Sequence, residues 1–230
     1  MIKENILKIR ERISNSCPKI IQGPKSITLV AVSKGRTPEQ IKEAIEAGII
    51  DIGENKVKEA LIKYKQIMDE GYGARIKWHM IGHLQTNKVK EAVKIFDLIQ
   101  SVDSLYLGQK IDKQAAKINK IQDILIEVKT SPEATKFGLR PEDTVGVIKE
   151  LAKLGNINIK GLMTIAPLVD NPERTRPYFR SLKELFEQIN AQRITHNALR
   201  FLSMGMTDDF EVAIEEGSNM VRLGRAIFEG

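Results

Sequence analysis

The chain has 230 residues, 29% of them charged, and a formal net charge of +6. Its length is enough to bury a sizeable core, and its single cysteine, Cys17, excludes an internal disulfide framework and a cysteine-rich metal site. Few aromatic residues, lysines interleaved with glutamates and the lack of a long apolar stretch argue against nucleic acid or a membrane as a partner. We expect a monomer in the cytoplasm.

Short apolar runs alternate with amphipathic segments from the beginning of the chain. An opening helix is predicted over residues 3–13, where isoleucines recur at helical spacing. The first strand covers residues 27–33, and Thr37 then caps a helix that has proline at its first position. Gly48 ends that helix, and the second strand, residues 49–53, precedes a lysine-rich helix.

The same alternation continues through the rest of the chain. Further strands are predicted over residues 76–81, 98–102, 123–128, 157–163, 200–203 and 220–223. Helices are predicted between them over residues 86–95, from 103, from 141, over 172–189 and over 208–216. Eight strand–helix units indicate parallel strands and predict one domain over residues 1–230, a closed (β/α)8 TIM barrel of α/β class with an extra N-terminal helix. A doubly wound open sheet is the alternative.

Lys34 lies at the end of the first predicted strand and is followed at once by Gly35. Ligands bind at the carboxyl ends of the strands in both open and closed sheets of this kind. The amine of Lys34 could form a Schiff base with a carbonyl cofactor. A solvated lysine that opens a loop is the more common case, so the residue alone does not decide between the two.

The last two strand ends carry the features of an anion site. Ser203 and Gly205 precede a short predicted helix, and Gly224 and Arg225 follow the eighth strand. Barrels often bind phosphate with these two loops, although glycine and serine are also ordinary turn residues. A phosphate there, with an amine at Lys34, defines a ligand that has both phosphate and aldehyde groups. Pyridoxal 5′-phosphate (PLP) fits that description.

Arg222 lies inside the eighth predicted strand, among apolar residues. An outward side chain would pair with an acid on a neighbouring helix, and the pattern gives this alternative nearly equal weight. An inward side chain could contact the pyridine nitrogen of PLP, where a cation disfavours protonation and weakens the ring as an electron sink.

Motifs along the chain carry a resemblance to a known family. They are Ala31-Val32-Ser33-Lys34, Gly53-Glu54-Asn55, His79-Met80-Ile81-Gly82-His83, Gly161-Leu162-Met163, Ser203-Met204-Gly205-Met206 and Val221-Arg222-Leu223-Gly224-Arg225. By these motifs the chain resembles the pyridoxal phosphate homeostasis proteins over essentially its whole length. The resemblance implies a PLP barrel of fold type III, related to the N-terminal domain of alanine racemase, with PLP held as an aldimine on Lys34.

The resemblance also implies the residues that bind the cofactor. They are Lys34, Asn55, His79, Met163, Ser203, Gly205, Arg222, Gly224 and Arg225. Ser203 and Gly205 would bind the phosphate together with backbone groups of the last two residues, and Arg222 would face the pyridine nitrogen. The family binds and buffers this form of vitamin B6 without established turnover. An open barrel mouth would let PLP pass to apo-forms of PLP enzymes as transient recipients.

Two other functions stay open. A PLP-dependent amino-acid racemase commonly needs acid–base groups on both faces of the substrate. Alanine racemase takes the second from a tyrosine of another domain, and we expect no such domain here, with no tyrosine at a predicted strand end. A nucleic-acid-binding barrel that uses the positive charge is the third and weakest hypothesis.

The remaining polar candidates are weaker. His79 and His83 are four residues apart, but a strand end between them and the lack of a third ligand argue against zinc. We expect His79 to line the pocket and His83 to lie in a turn. His196 and Lys136 lie in predicted loops, where solvated side chains are the usual case, although Lys136 could be a basic residue at the rim.

Overall fold

The computed structural model of the chain describes residues 1–17, 27–131, 133, 137–195 and 197–230. Within them, parallel strands pair in sequence order and the last pairs with the first. They are β1 (Thr28–Val32), β2 (Asp51–Glu54), β3 (Lys77–Met80), β4 (Leu98–Val102), β5 (Gln122–Glu127), β6 (Ile157–Met163), β7 (Phe201–Ser203) and β8 (Met220–Leu223). The prediction of a closed (β/α)8 barrel is confirmed, and the open-sheet alternative is wrong.

Helices follow the strands around the outside of the barrel. They are α1 (Ile2–Ser16), α2 (Pro38–Glu46), α3 (Val57–Asp69), α4 (Val89–Ile95), α5 (Leu105–Ala116), α6 (Pro141–Leu151), α7 (Arg176–Ala191), α8 (Phe210–Glu215) and α9 (Arg225–Phe228). Two predicted helices begin as 3₁₀ turns, at Thr86–Lys88 and Pro172–Thr175. The sequence did not predict α9, because four residues are too few to show a helical period.

The predicted N-terminal helix is present as α1 and packs against α2, α8 and α9. The amide of Asn5 donates to the carbonyl oxygen of Ile227 in α9, at 3.1 Å. One face of α1 is buried against these helices, at Ile2, Ile6, Ile9 and Ile13. Each buried isoleucine contributes about 1.5–3 kcal/mol of transfer free energy, so this face fixes the helix on the barrel.

Capping signals in the sequence set the helix that follows Lys34. Thr37 and Gln40 form a reciprocal capping box, and Pro38 occupies the first helical position. At the other end of α2, Gly48 has a φ angle of +90°, the left-handed conformation in which glycine commonly ends a helix. Both boundary predictions for α2 are therefore confirmed, and they hold the short loop that contains Lys34 between β1 and a fixed helix.

The barrel interior holds its own small apolar cluster, separate from the core between strands and helices. Its buried members are Val30, Leu98, Leu125, Met163 and Met220. Alternate positions on the same strands, such as Ile124 and Ile126, pack outward against the helices. Strands buried on both faces explain the continuous apolar runs in the sequence.

The pairing between β7 and β8 is short, and a side chain supplements it. The register contains the pair Ser203 and Met220. Asn219, which precedes β8, accepts from the backbone N–H of Leu202 at 2.8 Å and donates to the carbonyl oxygen of Arg200 at 2.6 Å. These two bonds join β7 and β8 at their amino ends and add to the short backbone pairing between the strands.

Candidate functional site

A cavity of about 290 Å³ opens at the carboxyl ends of the strands. The polar and aromatic side chains around it include Asn55, His83, Glu127, Lys129, Phe137 and Arg222. The rings of His83 and Phe137 stack at 3.7 Å between centroids, and the imidazole Nδ1 lies 3.1 Å from Oδ2 of Asp103. The cavity therefore has a wall of stacked rings and an interior with charged groups.

Lys34 lies in an adjoining cleft of about 550 Å³, which shares Asn55, Gly82 and His83 with the cavity. Its side chain is exposed, as are three other lysines that line the cleft, Lys56, Lys58 and Lys88. Across the part of the chain that the structure describes, no ion pair neutralises any of these four amines. The cleft thus presents an accessible amine in a basic surrounding.

A buried lysine beneath Lys34 supports the loop from below. The amine of Lys63, on α3, donates to the carbonyl oxygen of Ser33 at 2.5 Å and to Oε1 of Glu54 at 2.7 Å. It also donates to Oε1 of Glu59 at 2.6 Å. Burial raises the pKa of Glu54, although the bonds from Lys63 and Ser33 oppose that rise. The three hydrogen bonds of Lys63 use all three N–H donors of its buried amine.

The same carboxylates accept hydrogen bonds from the residues on both sides of Lys34. The hydroxyl of Ser33 donates to Glu54 at 2.5 Å, and the backbone N–H of Gly35 donates to Glu59 at 2.7 Å. We refer to Lys63, Glu54 and Glu59 as the lysine clamp. Because it holds both neighbours of Lys34, the clamp fixes the position from which the exposed amine projects.

Arg222 points into the barrel, which decides between the two alternatives that the sequence left open. Its guanidinium donates to Oγ of Ser203 at 2.5 Å and to the carbonyl oxygen of Thr164 at 2.8 Å. Burial lowers its pKa to about 10, while Asp209 and Glu127 oppose that shift. The side chain therefore remains a cation at neutral pH, and two hydrogen bonds use only two of its five N–H donors.

Glu127 is a functional candidate that sequence reasoning missed. It is the last residue of β5, and its side chain is buried at the same cavity as Arg222. Burial raises its pKa to about 7, Asp103 adds to the rise, and Arg222 opposes it. Its position at the end of an apolar strand was the available signal. A carboxyl with this pKa exchanges protons readily near neutral pH.

The chain after β7 contacts β8, where the backbone N–H of Arg222 donates to the carbonyl oxygen of Gly205 at 3.0 Å. Ser203 is fully buried, and its hydroxyl donates to Oε1 of Gln100 at 2.7 Å. Gly205 has a φ angle of +96°, and a Cβ there would lie 2.7 Å from Cβ of Ala213. Only glycine therefore allows the chain to turn at this point.

Gly224 and Arg225 form the beginning of the short helix α9. Gly224 accepts from the backbone N–H groups of Ile227 and Phe228. The guanidinium of Arg225 is exposed and donates to Oδ2 of Asp208 at 2.5 Å. This ion pair joins the loop after β7 to the loop after β8, the two loops that the sequence assigned to an anion.

His79 and Met163 line neither the cavity nor the cleft at the carboxyl ends of the strands. Met163 is nevertheless paired in register with Ser203 on the neighbouring strand. His79 is buried inside the barrel, and its ring nitrogens lie 2.9 Å from Oδ1 of Asp51 and 2.8 Å from Nε2 of Gln100. It lines a different cavity, at the amino ends of the strands. Met163 is fully buried in the interior apolar cluster. Asn55, by contrast, lines both the cavity and the cleft.

Two predicted loop residues, Lys136 and His196, lie outside the described residues. Over the ranges that are described, no group of three or more His, Cys, Asp or Glu side chains is arranged to hold a metal ion. None of the helices in those ranges is long and apolar enough to cross a bilayer.

Comparison with known proteins agrees with this geometry. The family model of the alanine racemase N-terminal domain matches residues 2–230. An alanine racemase of Clostridium difficile superposes with a TM-score of 0.76 at 18% identity, covering 98% of this chain and 58% of that one. That likeness establishes the fold. The protein is therefore a barrel of the alanine racemase N-terminal-domain class, as its motifs indicated.

More similar relatives define the family within that class. A pyridoxal phosphate homeostasis protein of Aquifex aeolicus is 43% identical over 225 residues, covering 98% of this chain and 96% of its own. The protein of that name in Haemophilus influenzae is 34% identical, with 99% and 94% covered. PipY of Synechococcus elongatus, solved with PLP bound, has a TM-score of 0.87 at 33% identity, with 99% and 100% covered. The chain belongs to the pyridoxal phosphate homeostasis protein family.

Proposed function

We propose that this protein binds PLP covalently, as a Schiff base on Lys34, and buffers the cofactor for other proteins. The observation that carries the proposal is the juxtaposition of an accessible lysine with a buried arginine at adjoining cavities of one barrel mouth. Support comes from relatives named as PLP homeostasis proteins and from PipY, which was solved with PLP bound. We also propose that the protein acts as a monomer in the cytoplasm.

The residues at the mouth fit such a group chemically. A PLP molecule needs an amine for its aldehyde, donors for its phosphate and a partner for its ring nitrogen. Lys34 supplies the amine, and the turn that Gly205 allows lies beside the Arg225–Asp208 pair. Arg222 has donors free beyond its two bonds. PLP would supply an electrophilic carbonyl and an electron-accepting ring when bound.

In this proposal Arg222 faces the ring nitrogen and keeps it unprotonated, since a fixed cation disfavours a second positive charge nearby. The lysine clamp orients Lys34, and Asn55 lines the passage between its cleft and the cavity. Phosphate binding is assigned to Gly205 and to the backbone of Gly224 and Arg225. The Ser203 hydroxyl joins them only if it turns away from Gln100, so its role in phosphate binding stays a prediction.

The experiment that tests the proposal is reductive trapping. Purified protein with added PLP is treated with borohydride, digested and mapped by mass spectrometry. We expect the adduct on the peptide that contains Lys34, and none in Lys34→Ala. Lys58→Ala, which removes another amine from the same cleft, should label like the wild type. A label at another lysine, or no gain of mass, would refute the covalent site.

The buffering role has a separate test. Loaded protein is mixed with the apo-form of a PLP enzyme, and the return of that enzyme's activity is followed. We expect reactivation, because the Lys34 cleft is open to solvent and an incoming amine can displace the lysine. An absence of transfer would remove the delivery role and leave PLP binding intact.

A second candidate, a PLP-dependent racemase or another PLP enzyme, gains support from Glu127. This carboxyl lines the same cavity as Arg222 and has the pKa of an effective acid–base group. If the protein turns over amino acids, loaded wild-type protein should exchange the Cα proton of alanine in D₂O at an enzyme-like rate, and Glu127→Gln should abolish the exchange. We expect no such exchange from a carrier.

A further inference from the structure

An unbroken series of hydrogen bonds crosses the inside of the barrel. Arg222 donates to Oγ of Ser203 at 2.5 Å, and Ser203 lies 2.7 Å from Oε1 of Gln100. Nε2 of Gln100 lies 2.8 Å from Nδ1 of His79, whose Nε2 lies 2.9 Å from Oδ1 of Asp51. We name these five residues the barrel relay. They come from β8, β7, β4, β3 and β2.

The chemistry of the two ends fixes the direction of every proton in the barrel relay. A guanidinium only donates, so Ser203 accepts from Arg222 and uses its single proton for the carbonyl oxygen of Gln100. The amide nitrogen of Gln100 then faces His79, so Nδ1 of that ring accepts. The imidazole proton lies on Nε2 and points to the carboxylate of Asp51. All four bonds donate in one direction, from a cation to an anion.

The barrel relay runs through an apolar interior, which makes each of its bonds costly to break. Ser203 and Gln100 are fully buried, and the side chains of the interior apolar cluster pack within the same barrel. The second N–H of the Gln100 amide points to Sδ of Met220, at 3.2 Å. A low local dielectric strengthens aligned bonds, and a lost partner leaves a buried polar group unsatisfied.

The two ends of the barrel relay open into two different cavities. Arg222 lines the cavity at the carboxyl ends of the strands, where the cofactor is proposed to bind. Asp51 and His79 line a cavity of about 590 Å³ at the amino ends. A single series of hydrogen bonds therefore connects the cavity at the carboxyl ends of the strands with the cavity at their amino ends.

We propose that Gln100 is a positioning residue that, with His79 and Asp51, holds Arg222 in place at the cofactor cavity. The amide oxygen of Gln100 takes the proton of Ser203, and this turns a lone pair of the hydroxyl toward the guanidinium. The amide nitrogen of Gln100 donates to Nδ1 of His79, whose ring Asp51 holds, so the amide needs both this bond and the one from Ser203 to keep a single orientation. The part of this proposal that concerns PLP rests on the proposed function, whereas the order of the protons does not.

The first test needs no cofactor. Long-range proton–nitrogen correlation spectra of ¹⁵N-labelled protein report which imidazole nitrogen of His79 is protonated. We expect a neutral ring protonated at Nε2 in the wild type. In Ser203→Ala, Oε1 of Gln100 loses its donor, so the amide can rotate and a measurable fraction of His79 moves its proton to Nδ1. A proton on Nδ1 in the wild type, or an unchanged ring in Ser203→Ala, would overturn the relay.

The second test measures PLP binding and the pH dependence of the absorbance of bound PLP. We expect Gln100→Leu to raise Kd about tenfold, the equivalent of one buried hydrogen bond, and to shift the absorbance profile because Arg222 is no longer held. Gln122→Leu is the matched control. It removes another fully buried glutamine, one that donates to the backbone of Asp97 and Asp123. Its Kd and absorbance profile should remain those of the wild type.

The outcomes separate the two proposals. Equal Kd and equal profiles for Gln100→Leu and the wild type would refute the positioning role. If wild-type protein binds no PLP, the proposed function fails, and the His79 spectra still decide whether the barrel relay exists. If Gln100→Leu does not fold, the Ser203→Ala spectra decide the same question.

Discussion

The amine of Lys63 lies 2.5 Å from the carbonyl oxygen of Ser33, the residue just before Lys34. The charged Lys63 on α3 thereby supports the loop after β1, which carries the exposed amine of Lys34. The same amine neutralises Glu54, whose carboxylate is completely buried. Stability and site geometry therefore depend on one side chain.

Removal of the buried charge should destabilise the protein strongly. We expect Lys63→Met to lower the free energy of unfolding by about 3 kcal/mol, because it leaves the buried Glu54 without its cation. Lys58→Met, an exposed position on the same helix, should change it by less than about 0.5 kcal/mol. Urea unfolding of the three proteins checks the prediction. Equal midpoints for the two variants would contradict it.

Glu127 should make stability depend on pH between about 4.5 and 7. Its folded pKa of about 7 exceeds its ordinary value of 4.5, so the folded protein keeps a proton that the unfolded chain has released. Stability from this group is complete at low pH and is lost as pH rises to about 7, by about 2–3 kcal/mol.

The variant Glu127→Gln isolates this effect. We expect it to match the wild type near pH 5 and to be more stable by about 2 kcal/mol at pH 8. Glu142→Gln, at an exposed position in the first turn of α6, serves as the control and should follow the wild type at both values. Denaturant unfolding at each pH provides the measurement. A wild-type difference between the two pH values that persists unchanged in Glu127→Gln would show that another group causes it.

The turn at Gly205 should not accept a side chain. We expect Gly205→Ala to cost about 1–3 kcal/mol, since the φ angle is +96° and the new Cβ would meet Ala213. Gly146→Ala is the opposite case, because Gly146 lies exposed within α6 and its new methyl group would meet no heavy atom within 4 Å apart from its chain neighbours and the adjacent backbone of its own helix. That variant should gain up to about 1 kcal/mol. Thermal unfolding distinguishes the two, and a stable Gly205→Ala would contradict the strain argument.

The basic cleft should speed the arrival of an anionic cofactor. We expect the double variant Lys56→Gln/Lys58→Gln to slow PLP association by about three- to tenfold at low ionic strength, and less at high salt. Lys113→Gln/Lys149→Gln removes the same charge from exposed positions on α5 and α6. Stopped-flow absorbance measures both rates. Equal slowing in the two double variants would assign the effect to net charge alone.

Much of the architecture was readable from the sequence. Three strands, β4, β6 and β8, have the predicted bounds, and the cap at Thr37 begins α2 as expected. The helix predicted from residue 103 begins at Leu105, with Ser104 as its cap. When a strand is buried on both faces, however, apolar residues occupy both, and the sequence does not show which side chains point into the barrel and which point outward. Register shifts between β4, β5 and β6 add to this uncertainty. The alternation of side chains along a strand therefore could not predict that Arg222 and Glu127 point into the barrel.

The sequence by itself determined the order of strands and helices, because hydrophobic period and capping are local properties of the chain. It also placed Lys34 at a strand end, since that position follows directly from the apolar run. Only the tertiary structure decided which polar side chains meet. Gln100 and Ser203 are 103 positions apart and become partners because barrel closure brings their strands to face each other across a buried interior. The same burial, absent from any local pattern, raises the pKa of Glu127 and lowers that of Arg222.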